Sequence, residues 1–136
     1  MLQEIQRLAP DVCTGYLTSE REDDATVSDD GESPWLGGFD PCRFESSLPE
    51  AIKAAGGNFW GPAFADISKE RVLEAQTLGL FVHTWTLNED EEFGEALNLG
   101  VNGITSDYPD RAQVAFLSAG LPVALPCQSG GQAVGA

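Results

Sequence analysis

Positive charge is what this sequence has least of. Seven lysine and arginine residues stand against 22 aspartate and glutamate residues in 136, a formal net charge of -15. Only Lys53 and Lys69 are lysines. A surface this negative repels polyanions, so nucleic acid and anionic membrane are excluded as favoured partners. Acid excess with little lysine fits a protein working in high salt, where ions screen the repulsion among its carboxylates. No apolar run approaches the ~20 residues that span a bilayer, and the start, MLQEIQRLAP, is amphipathic, with no basic stretch leading into an apolar block. Neither a membrane span nor a signal peptide is expected. The three cysteines, Cys13, Cys42 and Cys127, are far apart and fall in no zinc-binding spacing. A disulfide framework is not expected, and a reducing cytoplasm is the default compartment. A Gly-rich phosphate loop and a Gly-x-Ser-x-Gly elbow are both missing.

What is present is enough apolar content, 42%, to bury the core of one domain. Leu2, Ile5 and Leu8 share a helical face that stops at Pro10, and Val12 to Leu17 reads as a strand. From Ser19 to Glu32 half of the residues are acidic, and residues 19–47 read as an inserted surface loop. Leu48 to Ala55 is a helix with Pro49 in its first turn and Gly56-Gly57 at its end. Asn58 to Pro62 is a short strand. Ser68 caps a helix that carries Val72, Ala75 and Leu78 inward and closes at Gly79. Leu80 to Leu87 is the strongest strand. Asn88 with Glu91 forms a capping box for a helix that ends at Gly100. Val101 to Ser106 is a last strand, and Pro109 starts a helix that turns Val114, Ala115 and Leu117 inward and ends at Gly120. Residues 121–136 read as a flexible tail. Alternating strands and helices at this spacing predict parallel strands covered by helices. Spacing alone leaves open a choice between an open sheet and half of an eight-stranded barrel.

Two linked strings bear on that choice: Gly79-Leu-Phe-Val-His-Thr-Trp-Thr-Leu-Asn88 and Gly100-Val-Asn-Gly-Ile-Thr-Ser-Asp-Tyr-Pro-Asp110. They resemble the C-terminal end of the glycerophosphodiester phosphodiesterase family, where a strand ends in Trp-Thr-Val-Asn and a helix leads to Gly-Val-Asp-Gly-Ile-Ile-Thr-Asp and a proline. Leu87, Asn102 and the pair Thr105-Ser106 depart mildly from that pattern. The resemblance implies an α/β fold, the C-terminal half of a TIM-type (β/α)8 barrel with about four strand–helix units, over residues 1–120. It also implies hydrolysis of glycerophosphodiesters to glycerol 3-phosphate and an alcohol, with a divalent cation, calcium or magnesium. The family's His-Arg pair, Glu-x-Asp, second histidine and further glutamate belong to the other half and have no counterpart here, where His83 is the single histidine. Catalytic residues and metal ligands are therefore expected outside this chain, and the chain alone is expected to be inactive.

Trp85, His83, Phe81 and Leu87 share strand parity, so all four are expected on one face. If that face is the barrel interior, Trp85 lies near the C-terminal mouth. The resemblance makes Trp85 a substrate-pocket wall; composition alone would make it a core aromatic. His83 reads as a buried or pocket-wall histidine. Asp107 could ligate a metal but reads better as a cap accepting the Asp110 N–H. Glu89 to Glu92 reads as a solvated helical turn, because adjacent helical residues diverge. The acidic stretch Glu20 to Glu32 lacks the spacing of a calcium loop. Phe59 or Trp60 is expected near the same mouth. The leading expectation is a half barrel that self-associates or binds a missing N-terminal half, since two sheet edges and one face would stand open. A non-catalytic assembly module is the alternative, and a small metal hydrolase using Asp107 and His83 is a third.

Overall fold

The computed structural model describes residues 2–27, 33–44 and 47–123. The expected tail falls on 121–136, of which 124–136 lie outside the described residues, as do 28–32 of the acidic insertion.

Helix α1 (Leu2–Leu8) precedes strand β1 (Gly15–Thr18). Helix α2 (Leu48–Ala54) then leads to β2 (Phe59–Pro62), α3 (Lys69–Thr77) to β3 (Phe81–Thr84), and α4 (Asp90–Leu99) to β4 (Gly103–Ile104), with α5 (Pro109–Ser118) last. All four strands are parallel, in the order β1-β2-β3-β4. Consecutive parallel strands require a crossover helix each, and the sequence supplies one at every step. This is the α/β architecture expected for part of a TIM-type barrel.

The punctuation works as the residue types dictate. Ser47 and Ser68 accept the N–H of Glu50 and Arg71 and so cap α2 and α3. Gly79 and Gly100 take the positive φ (78° and 88°) that ends a helix in the left-handed region. The box on α4 is one residue later than Asn88 and Glu91 suggested: Glu89 is the N-cap and Glu92 its N3 partner. Glu92 Oε2 accepts both the Asn88 and Glu89 N–H groups, which frees the Asn88 side chain for the next turn.

Alternation along the strands sorts the two faces. Tyr16, Trp60, Val82 and Thr84 point to the helices and are 0–1% exposed. Their polar atoms are bonded: Trp60 Nε1 donates to Thr18 Oγ1 at 2.9 Å, Thr84 Oγ1 to the Pro62 carbonyl at 3.1 Å, and Tyr16 Oη to the Ala55 carbonyl at 3.2 Å. No buried side-chain polar atom among the described residues lacks a partner. Leu48, Ile52, Val72, Ala75, Phe93 and Ala96 complete this core from α2, α3 and α4. The opposite face carries Leu17 and Phe81, 59% and 63% exposed, with half-buried Phe59 and His83 and the glycines Gly61 and Gly103.

Several expectations change. The Leu2/Ile5/Leu8 face of α1 is not buried, and only Leu2 packs against the core. On α5, Val114 and Leu117 are 63% and 60% exposed; Ala112 takes the core position and Ala115 packs beside it. Ends that close only against other secondary structure cannot be read from periodicity. The strands are also shorter than expected, and Leu87, beyond the end of β3, returns to the core fully buried rather than sharing the open face with Trp85. Within the insertion, Ser33 and Leu36 are buried, Leu36 completely, on a 3-10 turn over Pro34–Leu36 that packs against β1.

Candidate functional site

Parallel sheets place their ligands beyond the carboxyl ends of the strands, where the connecting loops converge. Here those ends carry Ser19 to Asp24 after β1, Ala63 to Asp66 after β2, and Trp85 and Thr86 after β3. A pocket of about 280 Å³ opens among them, lined by Arg21, Asp24, Phe64, Trp85, Thr86 and Glu92.

Trp85 is at this mouth, as expected. Its indole Nε1 donates to the Gly61 carbonyl at 2.7 Å, and its backbone pairs with Ala63 while its carbonyl accepts the Phe64 N–H at 2.8 Å. The ring is therefore held by β2 and presented half-buried to the pocket. Asp24 Oδ1 accepts the Ser19 hydroxyl at 2.7 Å, and Arg21 Nε lies 3.6 Å from Asp23. Glu20 is fixed from two sides: its N–H donates to Asp66 Oδ2 at 2.9 Å and its carboxylate lies 2.6 Å from Arg71, whose guanidinium stacks 5.7 Å over the Trp60 ring. Residues just after the acidic insertion begins are thus pinned to the rim.

Phe59 and Trp60 do not reach the mouth. Trp60 is fully buried on the helix side, and Phe59 starts β2, so it lies at the amino-terminal end of the open face, beside Phe81 and His83. His83 Nε2 lies 2.9 Å from Thr105 Oγ1, and the close approach of its ring to β4 requires Gly103, where a Cβ would come within 2.5 Å of Nδ1. Desolvation lowers its pKa from the ordinary 6.5. Asp107 does not cap α5, whose N-cap is Tyr108 without a side-chain bond. Its Oδ2 instead accepts the Asn88 amide at 2.8 Å while Asn88 Oδ1 accepts the Asp107 N–H at 3.0 Å. This reciprocal clamp ties the end of β3 to the turn after β4. Nothing in local patterning could reveal it, since it spans 19 residues. Asn102, at the position where the resemblance has aspartate, uses Oδ1 to accept the Val82 N–H at 2.8 Å, a bond a carboxylate oxygen would make equally well.

Glu89, Asp90 and Glu91 are exposed on the first turn of α4. Asp90 is bonded to Arg111, which also donates to the Asn88 carbonyl. Among the described residues no three His, Cys, Asp or Glu side chains gather closely enough to hold a metal ion. Among the described residues, then, no donor set fits the divalent cation that the resemblance implies.

Residues 2–111 match the glycerophosphoryl diester phosphodiesterase family. No curated protein matches significantly. Among solved structures, a Silicibacter pomeroyi protein assigned as a glycerophosphoryl diester phosphodiesterase is 38% identical with a TM-score of 0.67, over 90% of this chain and 37% of its own. A glycerophosphodiester phosphodiesterase from Parabacteroides distasonis (21% identical, TM-score 0.61) is matched over 87% of this chain and 40% of its own. An Oleispira antarctica phosphodiesterase, solved with its product sn-glycerol-3-phosphate, is 18% identical, with a TM-score of 0.59 over 85% of this chain and 37% of its own. At those lower identities the likeness concerns the fold. The chain thus spans about two fifths of the length of each of these three structures. With the family matched over most of its residues and its parallel strands alternating with helices, the chain belongs to the glycerophosphoryl diester phosphodiesterase family.

Proposed function

We propose that this chain is the C-terminal half, over residues 1–120, of a barrel that hydrolyses glycerophosphodiesters to glycerol 3-phosphate and an alcohol, with Trp85 forming one wall of the substrate pocket. The observation that carries the reading is the one-sided sheet: helices cover one face, while Leu17 and Phe81 stand exposed on the other, with Trp85 at its carboxyl edge. A barrel's strands need neighbours on both edges and packing within, and relatives more than twice as long have the chain length to provide both. The catalytic acid and base and the ligands of a calcium or magnesium ion then come from the remaining part. Trp85, Phe64 and the rim fixed by Glu20 shape the pocket and exclude water from it. The exposed Cys13 thiol supports a reducing, cytoplasmic setting.

The test mixes the purified chain with the part of the Silicibacter pomeroyi relative that it does not match, and measures glycerol 3-phosphate release from glycerophosphodiesters with calcium or magnesium. Release is expected from the mixture and not from the chain alone, with Trp85→Ala lowering it about tenfold. A stable heterocomplex without release would favour the second reading, a non-catalytic assembly module.

A further inference from the structure

The two flanks of the sheet differ, and one is shaped to receive the other. Among the described residues β1 pairs only with β2 and β4 only with β3, so each leaves one edge without a strand. Beside β1 stands α1, none of whose residues is buried. Leu2 packs on the core and Gln6 donates to Thr14 and to the Gly56 carbonyl, which fixes the inner side of the helix. Ile5 and Leu8 therefore lie on its outer side, where Leu8 is 67% exposed, and Val12 after it is exposed as well. Beside β4, between that strand and α5, opens a cavity of about 520 Å³, larger than the other three described. Its walls include Ile104, Ala112, Gln113, Phe116 and Val123, and no Asp, Glu, Lys or Arg lines it. In a chain of net charge -15, a wall free of charge suits an apolar occupant.

An apolar helical knob on one flank and an uncharged hole on the other make a head-to-tail joint. We infer that α1 of a second copy of this chain seats in the cavity between β4 and α5 and brings that copy's β1 alongside β4. The same joint, repeated by two-fold symmetry, closes a ring of eight parallel strands from two copies. Four strands are half of that number, so the joint closes and does not run on into a filament. The ring encloses the exposed Leu17 and Phe81. At ~100 Å² for each large apolar side chain, these two, the knob and the walls of the hole bring each copy to about 800 Å², one partner's share of a standard interface. The inference asks nothing of the hydrolase reading, since it needs only the parallel strands and the two flanks.

The experiment is sedimentation of the purified chain at micromolar concentration in 1 M sodium chloride, where repulsion between copies is screened. Two copies are expected as the largest species. Leu8→Lys alters the knob and Gln113→Glu the hole, both at exposed positions, so each variant should keep the far-ultraviolet circular dichroism of the wild type. Each should weaken the dimer about tenfold or more, the scale of one apolar side chain lost from each joint or one charge placed in it. A mixture of the two variants should associate more tightly than either alone, because one joint is then unaltered and the other sets the lysine against the glutamate. A monomer in 1 M salt would overturn the inference and give the cavity to residues after Val123 or to the remaining part of the barrel. Species larger than two copies, a dimer indifferent to both substitutions, or a mixture no tighter than its components would overturn it equally, since each means another joint.

Discussion

At the residue scale, the side chains that hold the sheet differ in kind from those that face the mouth. Trp60 is fully buried with its only polar atom bonded to Thr18. Trp60→Ala should destabilise by about 3–5 kcal/mol, a large share of the ~5–15 kcal/mol that a domain possesses. Trp60→Phe should recover most of that and retain a loss of about 1–2 kcal/mol for the orphaned Thr18 hydroxyl; urea unfolding of both variants measures the difference. His83 gives a pH signature. Burial lowers its pKa from 6.5 in the folded chain, so the unfolded chain binds the proton first as pH falls. Its contribution is complete above pH 6.5 and is lost as the pH drops through the lower folded value. Unfolding midpoints at pH 7.5 and pH 5 should therefore fall further apart in the wild type than in His83→Gln. An equal fall in both would show that other groups carry the acid dependence. Trp85 was legible in the sequence because its motif names the residue at a strand's carboxyl end. Asp107 was not, because its partner Asn88 is a neighbour only once β3 and β4 are side by side.

At the element scale, helix ends were read almost to the residue. Prolines at first turns and glycines after last turns express steric limits that hold in any context. The α4 box was displaced by one position because Asn88, Glu89, Glu91 and Glu92 offer two registers of the same pattern. Tertiary contact decided between them: Asn88 is taken by Ser106 and Asp107, leaving Glu89 to cap. Glu92→Ala should cost about 1 kcal/mol, since it strips two backbone N–H groups of their acceptor. Glu91→Ala should change the thermal midpoint little. A larger effect at Glu91 would mean that the other register is occupied in solution. Strand lengths were less legible. Apolar β-formers run from Leu80 to Leu87, yet ladder pairing is limited by the shorter neighbours, and β4 has only two residues.

At the scale of the whole molecule, two features oppose each other. An open sheet face with exposed Leu17 and Phe81 favours association, while a charge of -15 on each copy resists it. Salt screens the second and leaves the first, with a Debye length falling from ~10 Å at 0.1 M to ~3 Å at 1 M. Sedimentation at micromolar concentration should therefore show larger species at 1 M than at 0.05 M sodium chloride, together with a higher unfolding midpoint. A monomer at both, equally stable, would remove the proposals of self-association and of adaptation to high salt. Local chemistry alone determined the order of the elements, their caps, the parallel alternation and the family, because those depend on residues a few positions apart. Only the tertiary structure decided which face of each strand is covered, that Trp60 lies in the core, and which carboxylates surround Trp85. These outcomes depend on segments distant in sequence packing together, and strand parity over four residues cannot say which side the helices will occupy.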